Sequence, residues 1–201
     1  MYSTKTATTN NQEFNSSYMP VGINDNITLK EVNVNKTSND RDFLEIIFEN
    51  ENGQTATMTE WKNEKNMWIK TDEDLQRRDN QQFGRILQVI DCFGLRPEFE
   101  GSSFVEMINW VKDLLDLYKS QNSVKLRLKV TYDKNGYTQV SKNGIFVESM
   151  SVAKEESQIK LWKTDLLERP VKADEEKPND PLAGNSAPVT ADSTGADNLP
   201  F

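Results

Sequence analysis

Histidine is absent from this 201-residue chain and cysteine occurs once, as Cys92. The two scarcities remove Ser-His-Asp and Cys-His nucleophiles, imidazole proton shuttles, and every zinc site built on His or paired Cys. Cys92 stands among Ile90, Phe93 and Leu95, a setting that predicts a buried, inert thiol. Magnesium chemistry on carboxylates alone survives this exclusion, yet no compact Asp/Glu constellation rises above the scatter of a charged surface. The expectation is a protein that is not an enzyme and carries no cofactor or metal. Long apolar runs are missing as well. No stretch approaches a membrane span, and the polar N-terminus lacks the charged, apolar and small-residue succession of a signal peptide, so a soluble cytoplasmic protein with no membrane contact is expected.

Cations are also in short supply, with a formal net charge of -8. Residues 170–201 hold six acids (Asp174, Glu175, Glu176, Asp180, Asp192, Asp197) against two bases (Lys172, Lys177), which accounts for -4 of that total. The remainder is still acidic, so any anionic partner requires a local basic groove. Hydrophobic residues make up 35% and the mean hydropathy is -0.74, both lowered by the two ends. Residues 1–20 read as a flexible arm rich in Thr, Asn and Ser. Residues 170–201 read as a disordered acidic tail, broken by Pro178, Pro181, Gly184, Pro188 and Gly195. Between them lies one domain, 21–153, with a docked extension over 154–169.

Within the domain, the alternation from Ile27 to Val34 slips by one residue near Lys30 and Glu31, the mark of a bulged first strand. Phe43 to Glu49 carries apolar groups on both faces and reads as a central strand. Asn50-Glu51-Asn52-Gly53 supplies a hairpin turn into the Thr-rich strand ending at Trp61. Two helices follow. Leu75, Phe83, Ile86, Leu87 and Ile90 share one face over Asp72 to Asp91, and Gly94 is placed to stop the chain. Ser103 and Glu106 form a capping-box pair ahead of Phe104, Met107, Ile108, Val111, Leu114, Leu115 and Tyr118. Val124 to Tyr132 alternates most regularly, with Lys125, Arg127 and Lys129 on the face opposite the apolar one. After the Asp133–Gly136 turn a last strand is expected over Gly144 to Met150. The order predicts a mainly β fold with a helical insertion: a five-stranded OB-fold barrel with its helices between strands three and four.

Such a barrel binds oligonucleotides, oligosaccharides or proteins, so the side chains must decide. Single-stranded nucleic acid needs cations along a groove and aromatic faces for unstacked bases. Lys36, Arg41, Trp61, Lys62, Trp68, Lys125, Arg127, Lys129, Lys134, Tyr137 and Lys142 are the candidate DNA-binding residues, drawn from elements that an OB fold sets near its binding face. The row Lys125, Arg127, Lys129 reads equally as a solvated strand face. Trp61 reads also as core, and Trp68 also as packing under the helices, whereas Tyr137 beside a turn glycine favours exposure.

The chain ends Asp197-Asn198-Leu199-Pro200-Phe201, two apolar side chains and a carboxylate at the free end of a polar segment, which suits recognition by another protein. With this tip and the barrel pattern over 21–152, the chain resembles single-stranded DNA-binding proteins, above all those of tailed bacteriophages. Asp197, Leu199, Pro200 and Phe201 match positions of the Asp-Asp-Asp-Ile-Pro-Phe tip of the bacterial family, and Asn198 replaces an acid. The resemblance implies a non-enzymatic protein, in the cytoplasm of a bacterial host, that coats single-stranded DNA during replication or recombination and recruits replication or recombination proteins through its tip. A homo-oligomer is left open. An adaptor built on the same barrel without nucleic acid is the competing expectation.

Overall fold

A computed structural model describes residues 17–94, 96–121 and 124–170. Both the acidic tail and the tip residues Asp197, Leu199, Pro200 and Phe201 lie outside them, as do residues 1–16. The described chain is mainly antiparallel sheet with two helices. Its strands are β1 (Gly22–Lys36), β2 (Asp42–Glu49), β3 (Thr55–Trp61), β4 (Leu126–Tyr132), β5 (Thr138–Val140) and β6 (Val147–Ser149). Helices α1 (Asp72–Asp91) and α2 (Phe104–Gln121) fall between β3 and β4.

The sheet runs β3-β2-β1-β4-β5, with β6 also on β4. Strand β1 serves both halves: Gly22 to Ile27 pairs with β4, and Thr28 to Lys36 pairs with β2. Such a long strand can turn from one half to the other because its register breaks twice, between Asn24 and Ile27 and at the expected bulge between Leu29 and Glu31. Asn26 takes the left-handed backbone, φ 60°, within the first break. Inward-facing Ile27, Leu29, Val32, Leu44, Ile46, Phe48, Met58, Leu126, Leu128 and Val130 form the core. Ile86, Val89 and Ile90 of α1 and Ile108, Val111 and Leu115 of α2 complete it.

Helix α1 starts where Thr71 accepts the Asp74 N–H at 3.0 Å, with Asp72, Glu73 and Asp74 at the positive end of the helix dipole. At α2 the Ser103 hydroxyl accepts the Glu106 N–H (3.2 Å) as the capping box requires, while the Glu106 carboxylate takes the Ser102 N–H (2.8 Å). Two expectations are corrected here. Ser17 to Met19 is not free arm: Met19 is fully buried, and the segment exchanges backbone hydrogen bonds with Thr55 (2.9 and 3.0 Å). The closing strand expected over Gly144 to Met150 is only Val147–Ser149, and an unexpected short strand, Thr138–Val140, precedes it; residues 142–145 between them leave the ladder as a four-residue excursion with Gly144 at φ 61°. Lys129 spans it, donating its N–H to Phe146 O (2.8 Å) and accepting that of Ser141 (2.9 Å).

Beyond β6 a short 3-10 turn, Lys154–Glu156, leads into a strap that crosses the outer face of β4. Tyr132 donates its N–H to Leu166 O at 2.8 Å, which ties the strap to the end of β4, and Ile159 of the strap is buried. No helix among the described residues is long and apolar enough to cross a membrane.

Candidate nucleic-acid interface

The outer face of the β2–β3 hairpin follows from the pleat. In β3 the side chains of Ala56, Met58 and Glu60 go inward, which turns Thr55, Thr57, Thr59 and Trp61 outward. The hairpin register puts Phe43 opposite Trp61, and their rings stack at 4.3 Å between centroids, 25° from parallel. Arg41, in the loop joining β1 to β2, places its guanidinium carbon 5.9 Å from the Trp61 ring centroid. That loop is a tight turn: Asp40 at φ 56° donates its N–H to Thr37 O (3.0 Å), and Thr37 Oγ1 accepts the Arg41 N–H (3.2 Å).

Trp61 is held from behind. Its carbonyl accepts a hydrogen bond from Gln82 Nε2 of α1 (2.7 Å), and the same amide donates to Glu60 (2.9 Å). Glu60 is buried, yet Arg85 grips it with two hydrogen bonds (3.0 and 2.9 Å) and Lys142 Nζ stands 3.5 Å away. Burial alone would raise the Glu60 pKa. The bonds from Arg85 and Gln82 and the charge of Lys142 outweigh it and hold the carboxyl below its ordinary value. The network therefore fixes the β3 exit with charge already compensated.

Beyond Trp61, Asn66 and Ile69 close a turn with reciprocal backbone bonds (3.0 and 3.2 Å), and Asn66 Oδ1 accepts the N–H groups of Trp68 (2.8 Å) and Ile69 (3.0 Å). Ile69 is buried and anchors the turn. Met67 and Trp68 are carried at its tip, Trp68 81% exposed. Of the two readings open for Trp68, packing under the helices is thus ruled out; Trp61 is 39% exposed and lies on the outer face.

Lys36, Arg41 and Trp61 lie at the β3 exit, Lys62 follows Trp61 directly, and Trp68 stands on the turn between β3 and α1. Lys36 is paired with Asp40 (2.8 Å) and Asp42 (3.8 Å), and Arg41 with Glu64 (3.6 Å). These pairs are exposed, worth about 0–1 kcal/mol each, and a phosphate can displace them. Lys62 makes no ion pair among the described residues. Lys142 does not reach outward: its Nζ donates to Thr59 O at 2.7 Å and bridges the excursion after β5 to β3.

The row on β4 is a correction. Arg127 and Lys129 are not on a solvated face: Asp25 in the register break of β1 and Glu148 of β6 enclose the first, and the strap covers the second. Arg127 is locked between Asp25 (2.7 Å) and Glu148 (2.6 Å). Lys129 is fully buried, its Nζ donating to Asn143 O (2.8 Å), Lys160 O (2.9 Å) and Asp165 Oδ2 (3.1 Å). Neither cation is available to a phosphate. Lys125 remains partly exposed, 3.4 Å from Glu51 beside the β2–β3 turn. Lys134 and Tyr137 sit on the β4–β5 hairpin, apart from the Trp61 cluster.

Phe43 is not among the sequence candidates, although its place beside Trp61 is legible: the Asn50–Gly53 turn sets Glu49 opposite Thr55, and the same register carries Phe43 to Trp61. No group of three or more His, Cys, Asp or Glu that could hold a metal ion occurs among the described residues. The chain matches no protein-family model and no curated protein.

Proposed function

We propose that the chain binds single-stranded DNA across the outer face of β2 and β3, as a non-enzymatic coating protein of DNA replication or recombination. The stacked Phe43–Trp61 pair under Arg41, with Trp68 displayed on the hydrogen-bonded turn that follows β3, carries this reading. A protein gains nothing for folding by keeping an 81% exposed indole on a hydrogen-bonded turn, whereas unstacked bases gain about 1–3 kcal/mol on each such platform. Lys36, Arg41 and Lys62 supply phosphate contacts on the same edge. The finer architecture we propose is a five-stranded OB barrel. A long β1 shared by both halves, helices between the third and fourth strands, and the Lys142 bridge between β3 and the chain after β5 support it. Recruitment of replication proteins through Asp197, Leu199, Pro200 and Phe201 belongs to the same proposal and rests on the sequence resemblance.

Trp fluorescence titrated with oligo(dT) at several salt concentrations tests it. Quenching is expected, and with about three phosphate contacts the affinity falls with a log-log slope near -2, roughly 15- to 20-fold between 50 and 200 mM salt. Absence of quenching, or binding indifferent to salt, overturns the reading. One observation favours the adaptor instead: Leu161, Trp162, Leu166 and Leu167 leave an exposed apolar stretch along the strap. An adaptor predicts no oligo(dT) binding at any salt concentration.

A further inference from the structure

At the opposite end of β3 from Trp61, about 20 Å away at six strand residues, a cleft of about 290 Å³ is lined by Tyr18, Tyr132, Gly136, Tyr137, Thr138 and Arg169. We infer that this cleft is a second nucleotide-binding site, which takes one unstacked base of the strand with its phosphate. The inference rests on the single-strand reading above and extends it to residues from three separate parts of the chain.

Each part is held in place. Tyr18 lies beside the start of β3 through its bridge to Thr55. The hairpin is fixed by Asp133, whose Oδ1 accepts the N–H groups of Asn135 and Tyr137, both at 2.8 Å. The strap delivers Arg169 after the Tyr132–Leu166 backbone bond. Gly136 lets it come close: at φ 81° it has no Cβ, and one placed there would stand 3.0 Å from Arg169 Nε.

Ring and charge chemistry point to a ligand of this class. Three tyrosines line the cleft, and Tyr137 is 59% exposed. Arg169, the cation of the lining, has no carboxylate within 4.0 Å among the described residues, unlike Lys36 and Arg41 at the other end. Tyrosine rings around a small cleft and a cation free of acids suit a planar ring carrying an adjacent negative charge. With Trp61 at one end of β3 and this cleft at the other, a strand crossing its Thr-lined face is gripped twice.

The full-length chain should be photocrosslinked to oligo(dT) bearing 5-iodouracil, with peptide mapping, alongside dTMP as competitor. Adducts on Tyr132 or Tyr137 are expected in addition to those near Trp61, with dTMP failing to suppress them at concentrations equal to the strand's nucleotides. Y137A should weaken oligo(dT) binding roughly 5- to 150-fold, and R169A should weaken it and flatten its salt dependence; both side chains are exposed, so the fold is kept. Adducts confined to the Trp61–Trp68 region, with unchanged affinity in both variants, overturn the cleft and leave the single-strand reading standing. Equal suppression by dTMP overturns the strand assignment in favour of a free nucleotide. Absence of all oligo(dT) binding overturns both readings.

Discussion

Replacing Lys129 by methionine separates a phosphate-binding lysine from a folding one. The substitution keeps most of the stem volume and removes an ammonium that is fully buried with three acceptors at 2.8, 2.9 and 3.1 Å. It leaves the Asp165 carboxylate buried without its cation. Breaking a buried pair by deleting one partner costs about 3–5 kcal/mol. Asp165 retains the Trp162 N–H (2.8 Å), Asn143 Nδ2 (2.8 Å) and a longer contact from Ser141 (3.4 Å), which places the expected loss near the lower end, about 3 kcal/mol. In urea at pH 7, with a slope near 2 kcal/mol/M, the midpoint should fall by about 1.5 M at unchanged slope. The melting temperature should drop by roughly 6–12 °C for a domain of this size. Oligo(dT) affinity, measured where the variant is still folded, should stay within about threefold. A solvated lysine would cost no more than about 0.5 kcal/mol. An unchanged midpoint with a clear loss of DNA affinity would refute the burial argument and restore the cationic row to the interface.

W68A should leave stability within about 0.5 kcal/mol, since the indole packs on little, yet weaken oligo(dT) binding by roughly 5- to 150-fold in a fluorescence or anisotropy titration. In acid, Glu60, Glu148 and Asp165 act together. Burial would raise each pKa, but hydrogen bonds and cations outweigh it, so all three lie below their ordinary values when folded. The unfolded chain then binds more protons, and stability is full above about pH 4.5 and is lost as pH falls through the folded values. Circular dichroism against pH should show this, and E148Q should flatten the slope. The Cys92 thiol is pushed up to about 12 by burial and by the charges of Asp91 and Glu148. Alkylation at pH 8 should therefore be slower in the native protein than in urea by on the order of a thousandfold; equal rates would contradict the packing of α1.

Sequence periodicity reported the elements well and their covering poorly. The bulge near Lys30, the Asn50–Gly53 hairpin and both helices were legible because each depends on a few neighbouring residues: a register slip, a turn glycine, an apolar stripe with a cap. The alternation of β4 was legible too, but alternation states only that the two faces differ. What lies on the second face comes from Gln158 to Asp165, some thirty residues downstream, and no local signal in Leu126 to Tyr132 could announce it. Trp68 illustrates the converse: its polar neighbours were compatible with both exposure and packing, and the buried Ile69 beside it settled the direction in which the turn projects.

The sequence by itself determined that His- and paired-Cys-based catalysis is closed to this chain, that its ends and its middle differ in kind, and that strands precede and follow a helical pair. These are matters of composition and of periods two and 3.6, which every residue carries locally. Tertiary structure alone decided which cations face solvent. Arg127 and Lys129 have the same chemistry as Lys62 and Lys134, but carboxylates brought from distant segments consume the first two and leave the others without ion pairs among the described residues. It also decided that Tyr18, Tyr132, Tyr137 and Arg169 share one cleft, because proximity across 150 residues is set by strand pairing and a docked strap, which no spacing in the chain records.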